Sequence, residues 1–232
     1  MKWQLDNNTW EACVAHPAHL RAEEPANQFP GRYFNTCNWT SKLPPDHLLP
    51  PAGCISSPEN IISRFSTGQY LEGLALVVSW GTMWRTNRRI YNPRLESIRT
   101  TLEFCANEIR ETASIQSSWN RLTGGFNNGL SWSSVMASKV LHFLARSQGF
   151  TNEPPVPIDN LVIRQEIWPR WLRKIENNQE ILPSNWPLSW GGDSWEAYER
   201  YMTFILCNAR NRKWTTTDWE TTLFAQVINQ IE

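Results

Sequence analysis

Apolar residues recur at helical spacing through most of the chain after residue 57. Between residues 95 and 109 they follow one face of a predicted helix, at Leu95, Ile98, Leu102, Cys105 and Ile109. The segments 69–80 and 133–147 are apolar around most of their circumference, which predicts helices buried in a core. Neither a pair of strands nor an internal repeat is evident, so the fold class is predicted to be all-α.

Capping residues and prolines mark the ends of several predicted helices. Ser57–Pro58 predicts a helix that begins at the proline, and Asn92–Pro93 predicts another. Thr217–Glu220 has the pattern of a capping box and is predicted to start the last helix. The helix before it is predicted to carry Trp195, Tyr198, Met202, Ile205 and Ala209 on one face.

Residues 1–57 differ from the rest of the chain. They hold seven of the 15 prolines and show no sustained period, which predicts an irregular N-terminal arm packed on a helical domain of residues 58–232. Cys13, His16, His19, Cys37 and Cys54 all lie in the arm. Their spacing fits no standard zinc arrangement, so buried cysteines and surface histidines are expected, with no metal and no cofactor.

Composition limits the possible partners and the compartment. Lysine plus arginine and aspartate plus glutamate both number 22, so the net charge is zero. This balance is unusual for a protein that binds duplex DNA, unless the basic residues cluster. Five widely spaced cysteines favour reduced thiols. With no apolar run of membrane-spanning length and no signal peptide, a cytoplasmic monomer without a membrane partner is expected.

One lysine, Lys139, lies in the middle of the apolar segment 133–147. Burying its ammonium costs several kcal/mol unless the group is paired or neutralised, and a neutral lysine is a nucleophile. Asp159 follows twenty residues later, after Pro154, Pro155 and Pro157, and is placed to cap a helix over 160–174. The prolines stiffen this loop, which can hold the carboxylate close to the lysine. From the residues alone, a lysine whose ammonium extends to solvent and an aspartate that is only a cap remain alternatives.

The sequences SKVLHFLA, around Lys139, and PVPID, ending at Asp159, resemble the helix-hairpin-helix DNA glycosylases in both local context and spacing. The resemblance is to the 8-oxoguanine glycosylase branch and, with WTTTDWETTLF near the C-terminus, to its short prokaryotic members. It covers about the last two thirds of the chain. It implies an enzyme that flips a modified nucleotide out of duplex DNA and hydrolyses the N-glycosidic bond. Lys139 would attack the sugar and could also support AP lyase cleavage, while Asp159 would stabilise the oxocarbenium-like transition state.

The resemblance also implies a pocket for the flipped base. Trp80, Gly81 and Trp84 lie in a turn after an apolar helix, and Trp132 and His142 lie in segments expected near Lys139. Aromatic side chains beside a glycine turn can form a wall for a flat base. The alternative for the first three is a helix C-cap with two core tryptophans.

Basic residues concentrate in two places that could contact DNA phosphates. Arg85, Arg88 and Arg89 open the densest basic run, and the helix after Asp159 carries Arg164, Arg170 and Arg173. The hairpin glycines typical of the family are missing just before Lys139. Ser133 or Ser134 is expected to cap the lysine helix and to bind phosphate at its N-terminus instead.

Several functions remain compatible with the sequence. The favoured one is an antiviral DNA glycosylase that excises glucosylated hydroxymethylcytosine from phage DNA, because the 14 tryptophans could accommodate a bulky base bearing a sugar. The alternatives are an 8-oxoguanine glycosylase/lyase of base-excision repair and a non-catalytic module that binds a modified base. A helical interaction protein without a nucleic acid ligand is the third, favoured by the zero net charge.

Overall fold

The structure of the protein is a computed structural model that describes residues 24–26, 32–34, 49–51, 53–81, 90–91, 94–124, 129–151, 153–159 and 195–228. Most of the residues in this part of the chain lie in α-helices, which confirms the all-α prediction. Its helices are α1 (Pro58–Ser66), α2 (Tyr70–Trp80), α3 (Leu95–Thr112), α4 (Ile115–Thr123), α5 (Ser134–Ser147), α6 (Trp195–Asn211) and α7 (Thr216–Ile228). None of these helices combines the length and the apolarity needed to cross a bilayer.

Two short strands lie in the region predicted to be an irregular arm. β1 (Arg32–Tyr33) and β2 (Ile55–Ser56) pair antiparallel, with Arg32 opposite Ser56. The buried hydroxyl of Ser56 donates a hydrogen bond to the carbonyl of Leu76 in α2. This described part of the arm is therefore attached to a core helix.

The chain divides into two compact units. One unit comprises Phe29–Phe150, and the other comprises Met1–Gln28 together with Thr151–Glu232. Residues of the predicted arm thus occur in both units. In the second unit, the backbone amide of Ala26 donates to the hydroxyl of Thr222, 2.8 Å away.

The core of the unit 29–150 is built from α1 to α5. The Ser57 hydroxyl accepts a hydrogen bond from the amide of Asn60 at 3.3 Å, and Pro58 occupies the first turn of α1, as predicted. α2 is buried along nearly its whole length, and the predicted stripe of α3 is buried at Ile98, Leu102, Cys105 and Ile109. The predicted start of α3 at Pro93 is wrong by two residues, because Arg94 has an extended backbone and helical geometry begins at Leu95.

In the unit containing 151–232, α6 and α7 form a helical pair. The predicted apolar face of α6 is buried, from Trp195 to Ala209. The capping box of α7 is not Thr217–Glu220 but Thr215–Asp218. The Thr215 hydroxyl accepts from the amide of Asp218 at 3.0 Å, and the Asp218 carboxylate accepts from the amide of Thr215 at 3.1 Å. Because the chain enters the helix two residues earlier than predicted, Thr217 lies inside the first turn.

Candidate functional site

Lys139 is held inside α5 by the packing of that helix. Ser138 and Val140 on either side of it are fully buried, and Lys139 itself is only 7% exposed. Its Nζ lies 5.8 Å from the centroid of the Trp80 ring, within the range of a cation–π contact. The side chain is therefore enclosed, which disfavours the alternative of an ammonium extended into solvent.

Trp80, at the end of α2, is the described aromatic residue that lies next to Lys139. Its ring meets Phe143 edge to face at a centroid separation of 5.1 Å. Its indole N–H is buried and has no hydrogen-bond acceptor among the described residues. An unsatisfied buried donor is costly, so this N–H could donate to a ligand group that reached it.

Gly81 ends α2 in an ordinary backbone conformation. Its φ is −79°, and its amide donates to the carbonyl of Val77. The position therefore does not use the conformational freedom of glycine. Trp84, the third predicted residue of this turn, lies outside the described residues.

Trp132 and His142 are both interior side chains. The Trp132 ring is 2% exposed and its indole N–H donates to the carbonyl of Ile90 at 3.0 Å. These contacts make Trp132 a core residue in this conformation, where no face of its ring is open to a base. His142, one turn after Lys139, has its Nε2 3.4 Å from a guanidinium nitrogen of Arg146. Burial lowers the pKa of Arg146, and Glu59 partly offsets this effect.

The N-terminus of α5 is capped as predicted by Ser133. Its hydroxyl accepts a hydrogen bond from the amide of Met136 at 3.4 Å. Ser134 is in the first turn and is buried. The Ser133 hydroxyl is thus already bonded to the helix. Contact of Ser133 or Ser134 with a phosphate stays a prediction.

Asp159 lies at the end of a loop, 153–159, that is fixed by side chains of α6 and α7. Burial, followed by the charges of Glu220 and Asp159, raises the pKa of Tyr201, so the Asp159 carboxylate lies within electrostatic reach of that phenol. Tyr198, Tyr201 and Thr216 donate hydrogen bonds to the carbonyls of Val156, Pro157 and Pro154 at 3.0, 3.2 and 3.1 Å. Both oxygens of Glu153 accept from Arg210 at 2.7 Å. The stiff loop predicted from the prolines is thereby anchored along its length.

The six arginines predicted to contact DNA all belong to parts of the chain that the structure does not describe. Arg85, Arg88, Arg89, Arg164, Arg170 and Arg173 lie outside the described residues, as does the helix predicted after Asp159. Their contact with DNA stays a prediction. Among the described residues, no group of three or more histidine, cysteine or acidic side chains could hold a metal ion.

A second feature of the unit 29–150 was not predicted as a site. A groove of about 740 Å³ lies between the start of α3, the end of α4 and the turn that follows α4. It is lined by Arg94, Glu96, Ser97, Thr100, Thr101, Phe104, Arg121, Gly129 and Leu130. Arg94 belongs to the arginine-rich run visible in the sequence, but nothing in the sequence relates it to Phe104 and Arg121 on other helical turns.

Comparisons with protein-family models, with curated proteins and with solved structures found no match for this chain. Its function must therefore be inferred from its own residues and their geometry.

Proposed function

We propose that the protein is a DNA glycosylase that flips a modified base out of duplex DNA and excises it with Lys139 as the nucleophile. The observation that carries the proposal is the burial of Lys139, 7% exposed within an apolar helix, with its Nζ 5.8 Å from the Trp80 ring. The neutral amine of a lysine is the form that attacks an electrophilic carbon, and the apolar residues that enclose Lys139 keep its Nζ away from bulk water.

The proposed reaction begins at C1′ of the flipped nucleotide. The lone pair of Nζ forms a bond to C1′ while the N-glycosidic bond breaks, and the departing base takes up a proton. Ring opening then gives a Schiff base between Lys139 and the sugar, from which β-elimination can cut the strand. Hydrolysis of the Schiff base regenerates the amine.

Asp159 is proposed to stabilise the positive charge that builds on the sugar as the base leaves. A fixed negative charge lowers the energy of an oxocarbenium-like transition state because it does not have to reorganise during the reaction. The hydrogen bonds from Tyr198, Tyr201 and Thr216 to the loop 153–159 support this role, since they restrict the segment that carries the carboxylate.

Borohydride trapping on DNA with a modified base tests this proposal. Wild-type protein should form a covalent adduct, Lys139→Gln should form none, and Asp159→Asn should slow excision by orders of magnitude. Lys213→Gln, at an exposed lysine, is the matched control and should behave as wild type. Excision at the wild-type rate by Lys139→Gln would remove Lys139 as the nucleophile. An adduct in Lys139→Gln would assign the chemistry to another amine.

For the substrate, we propose glucosylated hydroxymethylcytosine in phage DNA, which would make the enzyme part of an antiviral defence. A glucose moiety packs on aromatic faces and needs hydrogen-bond partners, and the chain has 14 tryptophans, one of which, Trp80, has a buried indole N–H without a described acceptor. A site built to hydrogen-bond a group rejects analogues that lack it by large factors. Duplexes carrying glucosylated hydroxymethylcytosine, plain hydroxymethylcytosine or 8-oxoguanine should therefore be processed in that order of preference. Efficient release of 8-oxoguanine, with the glucosylated base left intact, would instead assign the protein to base-excision repair.

A further inference from the structure

The groove at the open end of the α3–α4 hairpin has the chemistry of a binding site. α3 and α4 run antiparallel and are joined by Ala113 and Ser114. The buried hydroxyl of Ser118 donates to the carbonyl of Cys105, which sets the register of the two helices. This register brings Arg121 of α4 over Phe104 of α3, so that both side chains line the groove.

The floor of the groove includes Gly129 and Leu130, which follow α4 in the chain. The amide of Leu130 donates to the carbonyl of Arg121 at 3.0 Å. The amide of Trp132 donates to the carbonyl of Leu122 at 2.9 Å. Gly129 approaches the backbone of Gly124 so closely that a Cβ there would lie 1.8 Å from the Gly124 carbonyl oxygen. The groove is therefore bounded by two helices and by residues 129–130, whose backbone is held against the end of α4.

Positive charge in the groove is not neutralised within the part of the chain that the structure describes. Arg121 makes a cation–π contact, with its guanidinium carbon 4.6 Å from the Phe104 ring centroid, and neither it nor the exposed Arg94 forms an ion pair with a described carboxylate. The acidic residue that lines the groove, Glu96, accepts two hydrogen bonds from Arg99, at 2.5 and 3.1 Å. The guanidinium groups of Arg94 and Arg121 thus face the groove, while the carboxylate of Glu96 is already bonded to Arg99.

These groups match an anionic ligand that also carries a flat ring. A stacked guanidinium and aromatic ring offer a surface on which a nucleobase can stack, and stacking of this kind tolerates any base. A guanidinium and the hydroxyls of Ser97 and Thr100 are suitable partners for phosphate oxygens. The volume of the groove, about 740 Å³, also lies within the range of roughly 300–1,000 Å³ that is typical of ligand-binding clefts.

We propose that this groove binds single-stranded nucleic acid, with a base stacked on the Arg121–Phe104 pair and a backbone phosphate on Arg94. The ligand is an unpaired strand because the face of a base is available for stacking on a side chain only when it has left the duplex stack. This binding site uses none of the residues proposed for base excision. It can therefore be correct even if Lys139 has no catalytic role.

Fluorescence anisotropy with a labelled oligothymidine tests the groove. Arg121→Ala and Phe104→Leu should each weaken binding about ten-fold, as expected for the loss of one stacked base. Arg94→Ala should lower the slope of log K against log salt by about 0.7, the contribution of one phosphate contact to a single strand. Arg110 is an exposed arginine in the last turn of α3, away from the groove lining. Arg110→Ala is therefore the control and should bind as wild type.

Two further measurements separate stacking from simple charge attraction. An abasic oligonucleotide should bind wild type and Phe104→Leu equally, because it has no base to stack, and Phe104→Tyr should restore binding of oligothymidine. Far-UV circular dichroism and thermal melting check that each variant is folded. Equal affinity of Arg94→Ala, Arg121→Ala and wild type would overturn the proposal. Competition by polyglutamate as strong as that by oligothymidine would also overturn it, in favour of non-specific binding of polyanions or acidic peptides.

Discussion

Two tryptophans of the unit 29–150 show how the surroundings of a single polar atom decide what a residue contributes. The indole N–H of Trp132 is bonded to the carbonyl of Ile90, whereas the buried N–H of Trp80 has no described acceptor. The Nζ of Lys139 also lies 5.8 Å from the centroid of the Trp80 ring. A bonded donor stabilises the fold, while an unsatisfied one is available for another role.

Replacement of each tryptophan by phenylalanine should separate these roles. Trp132→Phe removes a buried hydrogen bond and leaves the Ile90 carbonyl without its partner, so the free energy of unfolding should fall by about 1–3 kcal/mol more than in Trp80→Phe. Trp80→Phe should instead alter the rate of base excision. Urea unfolding of the two variants measures the difference. Equal loss of stability would contradict the distinction between them.

At the scale of helices, the positions of core segments were predictable and their ends were less so. Apolar residues at helical spacing identified α2, α3, α5 and α6, because a helix that packs in a core must present apolar side chains on its buried face. The box at Thr215–Asp218 was missed since Thr217–Glu220 fits the same pattern two residues later, and only the path of the chain out of α6 distinguishes them. In the segment between α6 and α7, Lys213 has a φ of +61°, a left-handed conformation that changes the direction of the chain just before Thr215.

The end of α3 provides a test at this scale. Ala113 closes the helix with a φ of +57°, a left-handed conformation that glycine adopts more easily than alanine. Ala113→Gly should therefore raise the free energy of unfolding by about 1 kcal/mol. Ala106→Gly, in the interior of the same helix, should lower it by about 1 kcal/mol. Thermal unfolding of both variants measures the two shifts, and destabilisation by Ala113→Gly would contradict the assignment.

At the scale of the whole molecule, the sequence revealed the candidate catalytic residues but not the groove. Lys139 and Asp159 each lie in a short local context that can be identified from the sequence. Phe104 and Arg121 come from different helices, and their contact depends on the register between α3 and α4, which no local pattern encodes. Net charge likewise gave no indication that Arg94 and Arg121 both line the groove, because a sum over the chain carries no information on position.

Buried acids predict how the stability of the molecule depends on pH. Burial raises the pKa of Cys105 from 9.0 to about 12, and it raises the pKa values of Tyr91, Tyr198 and Tyr201 above the ordinary 10.0. The folded protein keeps these protons at pH values where the unfolded chain releases them. The stabilisation is therefore complete below about pH 9 for Cys105 and below about pH 10 for the tyrosines. Above these values each group loses up to about 1.4 kcal/mol per pH unit until its folded-state pKa is reached.

Urea unfolding between pH 8 and pH 11 measures this loss. The free energy of unfolding should fall steadily above pH 9, and Tyr201→Phe should show a shallower fall because it has one group fewer to ionise. A free energy that stays constant up to pH 11 would contradict the burial of these side chains.

The hydrogen bonds that anchor the loop 153–159 have a consequence for any attempt to shorten this protein. A fragment that ended at residue 194 would still contain Lys139 and Asp159. It would lack every side chain of α6 and α7 that holds the loop, including Tyr198, Tyr201 and Arg210. Such a fragment would keep both residues but would lose the hydrogen bonds that anchor the loop carrying Asp159. The two C-terminal helices must therefore be kept in any shortened variant that is meant to preserve the conformation of the loop 153–159.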